Sequence, residues 1–197
     1  MKKHIKMNSN DLNRLNFNPV NLGNISPKGW LLEQLKIQSN GLSGHLDEFW
    51  PPLKNSKWLG GKIEHRSGDD VGDEIIPCWL DGLTPLACLL RNETLIQKVE
   101  KAMDYILSHQ HRDGWLGPEV NKSNNIVDIF ITNYDSRDVW PTYPLLKAMI
   151  QYYEVSNDER VISVMKRWSK KLDEYIDWNS LRSFNKFRWQ DLTISLY

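Results

Sequence analysis

Apolar residues recur at helical spacing in four long segments of the chain, and they do so in two pairs. Over Glu93–Gln110, the residues Leu95, Val99, Met103 and Ile106 fall every three or four positions and mark a stripe facing a core. The segment before it, Glu74–Arg91, is apolar on most sides and ends at Arg91-Asn92. A break that short predicts two antiparallel helices. The second pair spans Trp140–Val155 and Asp158–Ile176, joined at Ser156-Asn157. Leu145, Met149 and Tyr152 form one stripe, and Val161, Met165, Trp168, Leu172 and Tyr175 form the other. Pro77, Pro141 and Pro144 suit helix starts, whereas Pro85 lies deeper and predicts a kink or a late start.

The pairs repeat at an offset near 65 residues, each separated from the next by an irregular stretch. No β-strand pattern of useful length interrupts them. The fold class is therefore all-α, with αα-hairpin repeats that suit a solenoid or a toroid.

The flanking stretches read differently. Residues 1–25 hold seven Asn with few apolar neighbours, a composition that predicts a flexible arm. Ser26-Pro27 predicts the start of order, with a short helix over Pro27–Ser39 carrying Trp30, Leu31, Leu35 and Gln38 on one side and stopped by Asn40-Gly41. Residues 41–72 are broken by six glycines and by Trp50-Pro51-Pro52, and predict a long loop packed through Leu46, Phe49, Trp50, Trp58 and Leu59. Phe187–Tyr197 reads as one more helix, with Trp189, Leu192, Thr193 and Leu196 on a face. About 11 residues of helix are marginal alone. Either it docks on the second hairpin, or the chain is the front part of a longer protein.

Charge narrows the function classes. Lys and Arg number 25, as do Asp and Glu, so the formal net charge is zero. Such a balance offers no pull toward phosphate backbones or anionic lipid, and the expectation is no nucleic-acid and no membrane partner. No run of 18 apolar residues and no secretory h-region appear, so a soluble, cytoplasmic protein is expected. Cys78 and Cys88 are too few for a disulfide framework and ten residues apart, and both read as small buried hydrophobes.

Candidate chemistry is sparse. His109 and His111 stand two apart at a helix end, where they would diverge, and no Cys/His cluster has the spacing of a metal site. Asp69, Asp70, Asp73 and Glu74 lie where carboxylates commonly begin a helix and favour its dipole. Neither phosphate-binding nor serine-hydrolase motifs occur. His45 reads as solvated, and Trp79 as core more than contact.

Six segments, taken in order, carry a resemblance. They are Gly29-Trp30-Leu31-Leu32-Glu33-Gln34-Leu35, then Gly41-Leu42-Ser43-Gly44-His45-Leu46-Asp47-Glu48-Phe49-Trp50-Pro51, then Pro77-Cys78-Trp79-Leu80-Asp81-Gly82-Leu83-Thr84-Pro85-Leu86-Ala87. Next come Gln110-His111-Arg112-Asp113-Gly114-Trp115-Leu116-Gly117-Pro118, Asp138-Val139-Trp140-Pro141, and Tyr152 through Val161. Together they resemble the N-terminal part of the β-L-arabinofuranosidase-like glycoside hydrolases, family 127 and its relatives. The resemblance implies an (α/α)6 toroid with substrate bound where one end of the inner helices meets the loops. Twelve helices close such a ring; about six segments here imply roughly its first half, over residues 26–197.

Full-length relatives use a cysteine nucleophile held with other cysteines and a glutamate around zinc, in Glu-x-Cys and Cys-Cys contexts. Neither context occurs in this chain, so no catalytic residue and no metal or other cofactor are expected here, and the isolated chain should be inactive. What the resemblance leaves is part of a carbohydrate-binding wall. Asp113, Trp115, Arg137, Asp138 and Trp140 are its candidate substrate contacts, because aromatic faces pack on sugar C–H groups while Asp and Arg bond hydroxyls. Each has an alternative: Trp115 could be core, and Asp138 an N-cap ahead of Pro141. Arg137-Asp138 stands where family members often carry histidine, which leaves the sugar open. A second chain supplying the missing half of the ring is a further expected partner. The competing readings are a helical-repeat module that binds sugar or protein without catalysis, and a lyase or epimerase on another αα-toroid.

Overall fold

The computed structural model describes residues 20–62, 74–118, 137–179, 181 and 183–196. Nine α-helices form in this part of the chain: α1 (Gly29–Asn40), α2 (Leu42–Phe49), α3 (Pro51–Lys54), α4 (Ile75–Leu90), α5 (Glu93–Ser108), α6 (Thr142–Ser156), α7 (Glu159–Trp178), α8 (Ser183–Phe187) and α9 (Trp189–Leu196). 3-10 turns lie at Leu22–Asn24 and Lys57–Leu59, and the described residues contain no strand. The all-α class holds for them.

α4 and α6 end where the sequence places the breaks, while α5 stops two residues short of Gln110 and α7 runs two beyond Ile176. Arg91 and Asn157 both take the left-handed conformation that closes a helix, at φ 50° and 55°. The helices that follow are then capped. Asn92 Oδ1 accepts the Leu95 backbone N–H at 3.2 Å, and Asp158 Oδ1 accepts that of Arg160 at 3.0 Å. α4 runs from Ile75 straight through Pro85, so this proline does not delay its start. It forfeits one backbone bond to Asp81, and the burial of Leu80, Leu83, Leu86 and Ala87 around it offsets the loss.

α4 and α6 lie side by side at the centre. Asp81 and Lys147, each about two turns into its helix, pair at 2.9 Å, and Glu74 ahead of α4 interacts with Asp138 ahead of α6, so the contacts run in the same order along both helices and the two are parallel. α5 rests on α4, α7 on α6, and α9 docks on α6 as well. Leu95, Val99, Met103 and Ile106 are all buried, as are Leu145, Met149, Val161 and Trp168. Each such side chain contributes about 1.5–3 kcal/mol on leaving water.

Several expectations for the N-terminal third need correcting. The first helix begins at Gly29 behind Lys28, with no side-chain cap, rather than at Ser26-Pro27. Of its expected inner side, Trp30 and Leu31 are exposed, at 78% and 47%, while Leu35 packs against the core. The expected loop after Gly41 is largely helical over the described residues, as α2 and α3. Gly44 permits this, for a Cβ there would lie 1.9 Å from the Ser39 carbonyl oxygen. Trp50-Pro51 does stop α2, with Trp50 extended and Pro51 opening α3. Of the expected arm, residues 1–19 lie outside the described residues. Residues 21–24 are tied down: Asn21 Nδ2 donates to the Glu154 carbonyl at 3.0 Å, and Glu154 Oε2 accepts the Leu22 N–H at 3.3 Å. Cys78 is exposed and Cys88 partly so, not buried as expected.

Candidate functional site

The N-terminal ends of α4 and α6 gather the polar side chains. Asp138 precedes α6, with Val139 buried behind it and Trp140 partly buried. It does not cap the helix, which starts only at Thr142 behind Pro141. Its Oδ1 instead accepts the Trp140 N–H at 3.0 Å and the side-chain amide of Asn185 at 2.9 Å. Both donors meet one oxygen, so Oδ2 keeps its acceptor capacity.

Around Asp138 stand residues from three further places. Tyr143, on the first turn of α6, meets the Trp140 ring edge-on at 5.9 Å and donates to the Asn185 carbonyl at 3.4 Å. Burial and the neighbouring Asp138 push its hydroxyl up to about 12. Arg188, between α8 and α9, places its guanidinium 4.9 Å from the centre of the Trp140 ring and bonds Asp191 at 2.7 Å. Glu74 stands before α4, where burial and the Asp138 charge raise its pKa against the opposing pull of Arg188. One turn further Cys78 is exposed, yet enough of its surroundings is protein that desolvation, with the Glu74 and Asp81 charges, pushes its thiol up to about 11.

A second cluster adjoins the first through the Arg137–Asp138 peptide. Arg137 donates to Asp113 Oδ2 at 2.8 Å, and its guanidinium lies 4.5 Å over the Trp115 ring. Tyr175 of α7 donates to the Arg137 carbonyl at 3.1 Å and packs 5.5 Å from Trp115. Asp113 also accepts the Trp115 N–H at 3.1 Å and has Lys171 at 3.6 Å. Burial pushes its carboxyl up, but Arg137, that N–H and Lys171 outweigh it and hold the pKa at about 2.

The loop carrying Asp113 is shaped by glycine. Gly114 sits at φ +94°, and a Cβ on it would stand 2.8 Å from the Arg167 carbonyl oxygen of α7. Gln110 fastens the same loop by donating to the Gly114 carbonyl at 2.7 Å and the Val164 carbonyl at 3.0 Å.

The five candidate contacts thus fall into two adjoining groups. Asp113, Trp115 and Arg137 form one, and Asp138 and Trp140 the other. Trp115 is 2% exposed, with Arg137 over its ring, so it supports the loop from within and offers no open face. Trp79 packs against the core and donates its indole N–H to the Ser43 carbonyl at 3.0 Å, while His45 meets Glu48 at 2.8 Å. Nothing in the sequence marks Asn185, Arg188 or Tyr143 for this site, and Glu74 reads there only as a helix-start carboxylate. Asn185 and Arg188 carry no periodic or motif signal, and α8–α9 bring them in from more than 40 residues away.

Among the described residues, no group of three or more His, Cys, Asp or Glu could hold a metal ion. No described helix is long and apolar enough to cross a membrane. No family model matches the chain, and no curated protein or solved structure does either.

Proposed function

We propose that this chain forms a carbohydrate-binding wall in a helical toroid of the β-L-arabinofuranosidase-like kind. The observation that supports this most is the parallel pair α4–α6, whose starts lie together and hold Glu74, Asp138, Trp140 and Arg188 at one end. With α5 and α7 resting on them and α9 laid on α6, α4 and α6 take the role of inner helices, and α5 and α7 that of outer ones. In such a ring the sugar meets the inner-helix ends. Here Asp138 Oδ2 accepts a hydroxyl, Arg188 donates to another, and Trp140 supplies an apolar edge.

The function is recognition of a terminal sugar, and hydrolysis by this chain alone is expected to stay at background. Nuclear magnetic resonance titration with methyl β-L-arabinofuranoside tests the first part. Asp138→Ala and Arg188→Ala should each weaken binding by roughly tenfold or more, the loss of a charge-assisted hydrogen bond. Undetectable binding by the wild type, or wild-type affinity retained in both variants, would remove the proposal. Release of phenolate from an aryl β-L-arabinofuranoside well above background would remove the second part.

A second reading is a helical module that docks on another chain, including one that completes the ring. It draws on the exposure of Trp178, Phe187 and Trp189 near the C-terminal helices, at 87%, 70% and 53%. Sedimentation of the purified chain separates the two, since the sugar-binding reading does not require self-association.

A further inference from the structure

Beside Asp113 a cavity of about 710 Å³ opens between the end of α5, the following loop and the 3-10 turn at Lys57–Leu59. The size suits a ligand of one or two rings, within the roughly 300–1,000 Å³ of small-molecule sites. Trp58 and Tyr105 line it on the apolar side, and His109, His111, Arg112 and Asp113 on the polar side. Sequence spacing predicts that the two histidines diverge; because α5 ends at Ser108, they border one space instead.

The hydrogen bonds assign the proton on each ring. His109 Nδ1 lies 2.8 Å from the Tyr105 carbonyl oxygen, and His111 Nε2 lies 2.7 Å from that of Gly117. A carbonyl only accepts, so these nitrogens carry hydrogen, and in the neutral rings His109 Nε2 and His111 Nδ1 keep lone pairs. His109 is further held by stacking on Tyr105, with ring centres 3.8 Å apart and planes within 13°. Two fixed acceptors of this kind suit hydroxyl donors.

The charge balance adds a second requirement. Among the described residues that line the cavity, Asp113 is the one carboxylate, and Arg137 and Lys171 already compensate it; the cations there are Arg112 and Lys57, and Lys57 has a partner of its own. Arg112 is exposed and has no hydrogen bond or ion pair to a described residue. Its guanidinium presents a planar fork that matches a carboxylate. We infer that this cavity is a second carbohydrate site, distinct from the α4–α6 end, and that it takes an acidic sugar. The carboxylate pairs with Arg112 and hydroxyls donate to His109 Nε2 and His111 Nδ1, while Trp58, 5% exposed, and the Tyr105 ring, already stacked on His109, form the floor rather than a stacking face.

Calorimetric titration of the whole chain with digalacturonate, diglucuronate and dimannuronate, and with the neutral galactobiose, tests this. At least one uronate should bind roughly tenfold or more tightly than the neutral sugar, with the difference shrinking as salt is added. Arg112→Ala should erase the difference. His109→Phe, which keeps the stack on Tyr105 but removes the acceptor, should weaken the uronate by roughly threefold to tenfold. Arg188→Ala should leave uronate binding unchanged while weakening arabinofuranoside, so this inference and the proposal above fail separately. It is overturned if none of the three uronates binds at millimolar concentration, if the neutral sugar binds equally well, if Arg112→Ala has no effect, or if Arg188→Ala weakens the uronate.

Discussion

Replacing Gly114 by alanine should damage the protein, whereas the same change at Gly82 should help it. At Gly114 the backbone sits at φ +94°, a conformation that costs a residue bearing Cβ about 1–3 kcal/mol. The new Cβ would also stand 2.8 Å from the Arg167 carbonyl oxygen, closer than real Cβ atoms come, and a backbone atom of α7 cannot swing aside as a side-chain tip can. Relieving that contact requires moving the loop or α7, at about 1–3 kcal/mol more. A total near 3 kcal/mol corresponds to a fall in Tm of roughly 6–12 °C for a domain of this size. Gly82 lies on the exposed side of α4, with nothing within 4 Å of its Cβ position. There alanine gains about 0.5–1 kcal/mol from helix propensity. Thermal and urea denaturation followed by circular dichroism read both, as Tm and as unfolding free energy. The reasoning is refuted if Gly114→Ala melts within a degree or two of the wild type, or if both variants shift in the same direction.

Asp113 has a folded pKa of about 2 against an ordinary 3.8, so the stability it contributes is present above 3.8 and lost as pH falls toward 2. Asp113→Asn should therefore flatten the acid limb of a pH–stability curve between those values, modestly, since the carboxylate is partly exposed and screened; an unchanged limb would count against the Arg137–Lys171 arrangement. Glu74 shifts the other way: its folded form holds the proton more tightly, so its contribution falls as pH rises through 4.5 toward the raised folded value. Glu74→Gln should accordingly be the more stable protein at pH 7 and match the wild type near pH 4, and a less stable variant at pH 7 would refute the crowding with Asp138. Asn92→Ala removes the cap at the start of α5 and should cost about 1 kcal/mol in the same denaturation assay.

The long helices were legible because their information is local. A stripe such as Leu95, Val99, Met103 and Ile106 depends on a 3.6-residue period, and a break such as Ser156-Asn157 depends on the ease with which asparagine turns left-handed. Both act within a few residues, so sequence spacing determined them, along with the all-α class of the described chain. Whether Gly44 breaks a helix or admits one turned on how α1 and α2 meet at Gly41, which brings the Ser39 carbonyl against Gly44 and which helical period does not register.

The candidate site divides along the same line. Asp113, Arg137 and Asp138 could be nominated by residue type, but pairing Arg137 with Asp113 needs a contact across 24 residues, and Asn185 reaches Asp138 across 47. Trp115 looked as fit to meet a ligand as to fill the core, since an aromatic side chain serves either use. Packing against Tyr175 and Arg137 decided for the interior. The histidines show the reverse: their spacing alone separates them, and only the end of α5 at Ser108 sets both on one cavity. Periodicity tells which residues turn inward, while the tertiary fold decides which polar groups meet, because that depends on contacts with no fixed separation along the chain.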